Sequence, residues 1–105
     1  MQISEVEKFI KSIKKEQITI SPRIEEKLKE RKLDVEDIKN KILNNYIVGI
    51  VSQGEDVYKI WLEDSKHYDL NIILRIKGSM CYLVSAFPCE SNRRIKHEKT
   101  KREKG

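Results

Sequence analysis

The hydrophobic residues in the first part of the chain recur three or four positions apart, which is the spacing of one helical face. Ser4 followed by Glu7 is a capping-box pair, which favours a helix start. This pattern predicts a first helix at about residues 5–16. Its apolar face consists of Val6, Phe9, Ile10 and Ile13.

Two further helices are predicted from the residues that precede them. Ser21 followed by Pro22 is a typical helix start, because a serine oxygen accepts a backbone N–H and proline fits the first helical position. Asp34 is a similar cap before another apolar periodic run. We therefore predict helices at about residues 22–31 and 35–44.

From residue 46 onward the pattern changes to short runs rich in β-branched and aromatic residues, separated by turn residues. In one run every second residue is apolar, whereas Arg75 and Lys77 lie on the alternate face. Helices followed by strands predict an α+β domain, with N-terminal helices packed on one face of a four-stranded antiparallel sheet. The strands are predicted at about residues 47–53, 57–62, 70–77 and 81–87.

The charged residues are unevenly distributed along the chain, which distinguishes a predicted domain from a predicted tail. The 105 residues carry a net charge of +5, and this length allows one domain, predicted at residues 1–89. Residues 90–105 hold seven basic and three acidic side chains and are predicted to be a flexible basic tail. Such a tail attracts nucleic-acid phosphates, and it also simply favours solubility. The predicted nucleic-acid contacts in the tail are Arg93, Arg94 and Lys96.

Several classes of protein are excluded by what the sequence lacks. No apolar run approaches the length of a membrane span, and the first residues alternate charged and apolar side chains. We therefore expect no signal peptide, no membrane association and a cytoplasmic location. The chain has no glycine-rich phosphate loop and no GxSxG or HExxH motif, so we also expect no cofactor.

The two cysteines are predicted to be free thiols. Cys81 and Cys89 lie eight positions apart and match no CxxC motif. Only His67 and His97 are available as further histidine ligands, whereas a zinc site takes four ligands at tight spacing. We therefore expect neither a metal site nor a disulfide.

The candidate chemistry is basic and aromatic. Arg75 and Lys77 share a face of one predicted strand, and Lys59 and Trp61 share a face of the preceding strand. Two further rings, Tyr58 and Tyr82, lie on adjacent runs. If these strands pair, the side chains form a cationic face with rings for stacking RNA bases. The alternatives are basic residues that keep the sheet hydrated and a Trp61 that packs in the core. His67, in the loop between these strands, is the candidate acid or base for metal-independent RNA cleavage, or an ordinary exposed histidine.

The segment 21–38 resembles the start of small prokaryotic proteins of the RelE/ParE-like toxin superfamily. Glu30 and Arg31 match the Glu-Arg pair of that group, and the run 82–88 is similar to its closing strand. Arg23 stands where the group usually has a histidine. The resemblance implies helices on an antiparallel sheet and a metal-independent RNA endonuclease that is neutralised by an antitoxin protein. The turn and following helix match at Leu33, Asp34, Glu36, Asp37 and Ile38.

The leading hypothesis is a toxin-like RNA-binding protein, in which endoribonuclease activity is an open question. Arg23 and Arg31 would contact phosphate together with Arg75 and Lys77, and His67 would be the acid–base group. One alternative is a non-catalytic nucleic-acid-binding module, and another is a protein-interaction domain. Oligomeric state, RNA target, antitoxin and host are not determined by the sequence.

Overall fold

Helices and strands follow one another in the predicted order, and the chain is an α+β protein. A computed structural model describes residues 2–90 and the backbone of residues 99–100. The three helices are α1 (Ile3–Ser12), α2 (Pro22–Glu30) and α3 (Val35–Asn44). The strands are β1 (Ile18–Thr19), β2 (Ile47–Gly54), β3 (Val57–Glu63), β4 (Tyr68–Lys77), β5 (Met80–Glu90) and β6 (Lys99–Thr100).

The predicted caps form at the starts of α2 and α3. The Ile24 N–H donates to Ser21 Oγ at 3.3 Å, and the Asp37 N–H donates to Asp34 Oδ2 at 2.9 Å. Pro22 occupies the start of α2, as expected. Each cap satisfies a donor that has no partner within its helix, and caps of this kind stabilise a protein by about 1 kcal/mol.

The first helix lies earlier than predicted. It begins at Ile3, where the backbone N–H of Gln2 donates to Glu5 Oε1 at 2.7 Å, so the predicted cap at Ser4 and the predicted bounds 5–16 are wrong. The helix ends at Ser12 because Ile13 is extended. The Ile13 side chain is only 9% exposed and joins the core, which offsets the loss of further helical turns.

A left-handed residue closes α2. Lys32 has a φ of 61°, and the Leu33 N–H donates to the Leu28 carbonyl oxygen at 2.9 Å across the helix end. This closing bond satisfies one of the last carbonyls of the helix. Arg31 is the last residue before this turn and therefore forms the C-cap of α2.

The four predicted strands form the centre of a larger, mixed sheet. The strand order is β1-β5-β4-β3-β2-β6, and β2 to β5 are antiparallel neighbours in chain order. The predicted purely antiparallel four-stranded sheet is incomplete, because β1 pairs with β5 in parallel and β6 pairs with β2. Both additional strands have two residues, which is too short for an alternating pattern to be recognised.

β5 and part of the predicted tail lie at the C-terminal end of the described residues. β5 runs to Glu90, past the predicted domain end at residue 89. Within the predicted tail, residues 99–100 pair with Gly49 and Ile50 of β2. The predicted nucleic-acid contacts Arg93, Arg94 and Lys96 lie outside the described residues.

One hydrophobic core joins the helices to one face of the sheet. Alternate residues of β3 and β4 are buried in it, and they pair across the strands as expected for side chains that share a face. Ile72 is one of these residues, and its neighbour Ile73 lies on the opposite face. We call the two sides the helix face and the outer face. The outer face carries Val57, Lys59, Trp61, Glu63, Asp69, Asn71, Ile73, Arg75, Lys77, Met80, Tyr82, Ser85, Phe87 and Cys89. Helical residues of the core include Val6, Ile10, Leu28, Ile38 and Ile42.

Candidate nucleic-acid interface

The strand register places basic residues together at one end of the outer face. Arg75 of β4 lies between Val57 of β3 and Tyr82 of β5. Lys77 is two positions further along the same face, beside the β4–β5 turn. Both cations are exposed, and Tyr82 is 37% exposed. This end of the outer face therefore presents two cations beside an accessible aromatic ring.

Lys59 extends the positive charge toward the middle of the outer face. It lies opposite Ile73 and is half-buried, diagonally across the β3–β4 pair from Arg75. Its Nζ atom is 5.1 Å from the centroid of the Trp61 ring, which is within cation–π range. The ring thus holds the ammonium group on the outer face.

Trp61 is not the open stacking surface that the sequence hypothesis proposed. Its side chain is only 4% exposed, so the ring packs, as in the alternative interpretation. Tyr82, one of the two tyrosines that the sequence offered as further rings for this face, is the more accessible ring beside the predicted cations, whereas Tyr58 is buried in the core. Sequence alternation alone did not place Tyr82 beside Arg75, because that pairing depends on the β4–β5 register.

His67 lies far from the cations with which it was predicted to act. It is exposed in the loop before β4, and Arg75 follows it by eight positions along an extended strand. That stretch spans about 26 Å at the usual rise per residue. His67 therefore does not share one phosphate with Arg75 and Lys77, and the three predicted catalytic residues do not form a single cluster.

The loop that carries His67 is tied to the helix layer. Lys41 Nζ in α3 lies 2.9 Å from Asp64 Oδ1 in this loop and 3.0 Å from Asp37 Oδ2 in its own helix. Burial alone would lower the pKa of Lys41, but the hydrogen bonds to the two carboxylates outweigh it and raise that pKa. The loop is therefore anchored, and its anchoring cation is already engaged with carboxylates.

The two arginines predicted to bind phosphate from the helix layer occupy other positions. Arg31 Nη1 donates to the Ala86 carbonyl oxygen at 2.8 Å, so its guanidinium contacts the edge of β5. Arg23 is exposed near the start of α2, away from the outer face. It lines an open groove of about 410 Å³ that contains two basic and two acidic side chains; the other lining residues are Pro22, Glu25, Glu26 and Lys29.

A buried asparagine lies between two aromatic side chains in the middle of the outer face. Asn71 of β4 lies directly between Trp61 of β3 and Phe87 of β5. Asn71 is 3% exposed, and its Oδ1 atom accepts no hydrogen bond from any residue that the structure describes. Sequence reasoning missed it; the available signal was an asparagine within an otherwise apolar run.

Cys81 and Cys89 are not joined in a disulfide, and the Cys81 thiol is chemically protected. Cys81 is fully buried, and this burial raises the pKa of its thiol to about 12. A thiol held in its neutral form is a poor nucleophile and a poor metal ligand. Among residues 2–90 and 99–100, no three His, Cys, Asp or Glu side chains come together as a possible metal site.

Comparisons with known proteins identify no family for this chain. In the described part of the chain, no helix has both the length and the apolar character that a membrane span requires. No protein-family model, no curated protein and no solved structure matches the chain. The resemblance to the RelE/ParE-like toxin superfamily therefore stays a prediction.

Proposed function

We propose that the protein binds single-stranded RNA on the outer face of its sheet. The observation that carries this proposal is the cluster of Arg75, Lys77 and Lys59 on two adjacent strands, beside the exposed ring of Tyr82. Cations at this spacing contact successive phosphates, and an accessible ring stacks on a base whatever its identity. The helix face is filled by the hydrophobic core, which leaves the outer face for the ligand.

Metal-independent RNA cleavage, as in a toxin–antitoxin pair, is the narrower form of this proposal. Arg75 and Lys77 would stabilise the negative charge that develops on the phosphate. A different group would have to activate the 2′-hydroxyl, because His67 is about 26 Å of strand away from Arg75. The geometry therefore supports binding more strongly than catalysis.

The double variant Arg75→Ala/Lys77→Ala tests the site. Loss of two phosphate contacts should reduce the slope of log K against log salt by about 1.4, since each contact to a single strand contributes about 0.7. The melting temperature should stay close to that of the wild type, because both side chains are exposed. Fluorescence anisotropy with a labelled single-stranded RNA, over a series of salt concentrations, measures the slope.

A charge-matched control separates this site from general electrostatic attraction. Lys8→Ala/Lys27→Ala removes two exposed cations from the helix layer and should leave the salt slope nearly unchanged. Equal losses in the two double variants would contradict the assignment to the outer face.

A denaturing gel with EDTA present, run on the same samples, tests cleavage. Discrete products from the wild type alone would support the endonuclease, and intact RNA with salt-sensitive binding would support a non-catalytic module.

A further inference from the structure

The row of Trp61, Asn71 and Phe87 contains a polar group that the fold itself leaves unsatisfied. Buried side-chain oxygens are nearly always hydrogen-bonded, and an unpaired one destabilises the folded state. Asn71 Oδ1 has no such bond within the described chain, although the residue is 97% buried. An apolar residue of similar shape would fit this position without destabilising the fold, so stability alone does not account for the amide.

The neighbours of Asn71 are two aromatic rings on the strands to either side. Adjacent strands lie about 4.8 Å apart, so Trp61 and Phe87 are attached about 10 Å from each other, with Asn71 midway. A planar base lies naturally between two such rings, with its edge toward the amide. Lys59, which contacts the Trp61 ring, places a cation next to this row for the adjoining phosphate.

We propose that Asn71 recognises one adenine base of the bound RNA. The amide offers one acceptor and one donor side by side, which matches the N6 amino group and a ring nitrogen of adenine. A purine also provides the larger surface for stacking against the two rings. This inference rests on the proposed RNA binding and adds to it the residue that selects the base.

The row is closed in the structure, so the base enters by a local rearrangement. Trp61 and Asn71 are almost fully buried, whereas Phe87 and Ser85 on β5 are half-buried. β1 pairs with β5 only at Cys81 and Tyr82, so it does not cover this part of the strand. The base therefore reaches Asn71 from the β5 side, with displacement of the Phe87 ring as the opening step.

The variant Asn71→Leu gives the sharpest test, because function and stability should change in opposite directions. Removing the unsatisfied oxygen should raise the melting temperature. The wild type should bind oligo(A) about tenfold more tightly than oligo(U), and the variant should bind both with the weaker affinity. The matched variant Phe87→Leu keeps the amide and should weaken the preference for oligo(A) through lost stacking.

Each outcome decides between this inference and the proposal on which it rests. Wild-type protein that binds oligo(A), oligo(C) and oligo(U) equally would overturn adenine recognition and leave RNA binding intact. A preference for another base, or a preference that Asn71→Leu retains, would also overturn it. A lower melting temperature for Asn71→Leu would assign the amide a structural role instead. Absence of binding to any oligonucleotide would reject the proposed function itself.

Discussion

At the scale of single residues, burial determines which side chains are available for chemistry. Cys81 lies on the helix face opposite Ile76 and beside Ile18 of β1, with no exposed surface. Ionising its thiol inside this apolar contact would place an unpaired charge away from water, which is why the pKa rises to about 12. The neutral thiol therefore acts as a small hydrophobic side chain.

The raised pKa of Cys81 predicts a loss of stability in alkali. Below pH 9.0, the ordinary value for this group, both folded and unfolded chains keep the proton and the thiol contributes no pH dependence. Between pH 9.0 and about 12 only the unfolded chain releases it. The free energy of unfolding should therefore fall by about 1.4 kcal/mol per pH unit in that window from this group alone.

Denaturant unfolding at stepped pH checks this prediction. Cys81→Ala should lack the contribution, so the stability difference between wild type and variant should narrow above pH 9.0. Leu83→Ala removes a buried side chain of the same strand that cannot titrate, and should keep the wild-type dependence. Parallel curves for the wild type and Cys81→Ala would show that the Cys81 thiol does not titrate differently in the two states.

At the scale of elements, the end of α2 protects an edge of the sheet. The Ala86 carbonyl, which accepts from Arg31, faces away from β4, and Pro88 faces the same way without an N–H to offer. Val84 is an extra residue in the β4–β5 pairing and is 39% exposed. A bulge, a proline and a covering cation are all devices that discourage pairing with another chain.

Of these three protections of the β5 edge, the hydrogen bond from Arg31 is the one that a single substitution outside the strand removes. Arg31→Ala should free the Ala86 carbonyl and allow β5 to pair with a second chain. Light scattering coupled to size exclusion should then show larger species than wild type at equal concentration, and stability should fall by about 1 kcal/mol. Lys27→Ala, exposed in the same helix, should change neither. A variant with the wild-type mass at every concentration would show that the edge is closed without Arg31.

At the scale of the whole molecule, most of the net positive charge belongs to the C-terminal residues. Residues 1–89 carry a net charge of +1 and residues 90–105 a net charge of +4. On the proposed function, the C-terminal charges add affinity for any RNA, because they act on phosphates. On the same proposal, the base is selected on the outer face, where Asn71 lies beside Trp61.

Removing residues 91–105 should therefore lower the affinity for RNA without changing the preference for one base. Binding to oligo(A) and oligo(U) should weaken by the same factor, about tenfold or more at low salt, while their ratio is unchanged. The melting temperature should also fall, because β2 loses its pairing with residues 99–100. Anisotropy titrations with both oligonucleotides measure the ratio. A truncated protein with undiminished affinity would place the non-specific contacts on the domain.

The elements that were predicted well are those with local signals. The bounds of α3 were predicted correctly because Asp34 caps it and apolar residues repeat along it. The first helix was misplaced because Ser4 and Glu7 offer a plausible cap that Gln2 and Glu5 replace in the structure. The sharing of one face by Arg75 and Lys77 followed from alternation alone, since residues two apart in a strand lie on the same side.

By itself, the sequence determined the α+β class, the central antiparallel strands and the common face of Arg75 and Lys77, because periodicity and caps act within a few residues. Only the tertiary structure decided which side chains from different strands meet. The row of Trp61, Asn71 and Phe87, the pairing of Arg75 with Tyr82 and the hydrogen bond from Arg31 to β5 all depend on register and packing. Register is set by the burial of a whole face in one core, which no short segment encodes alone.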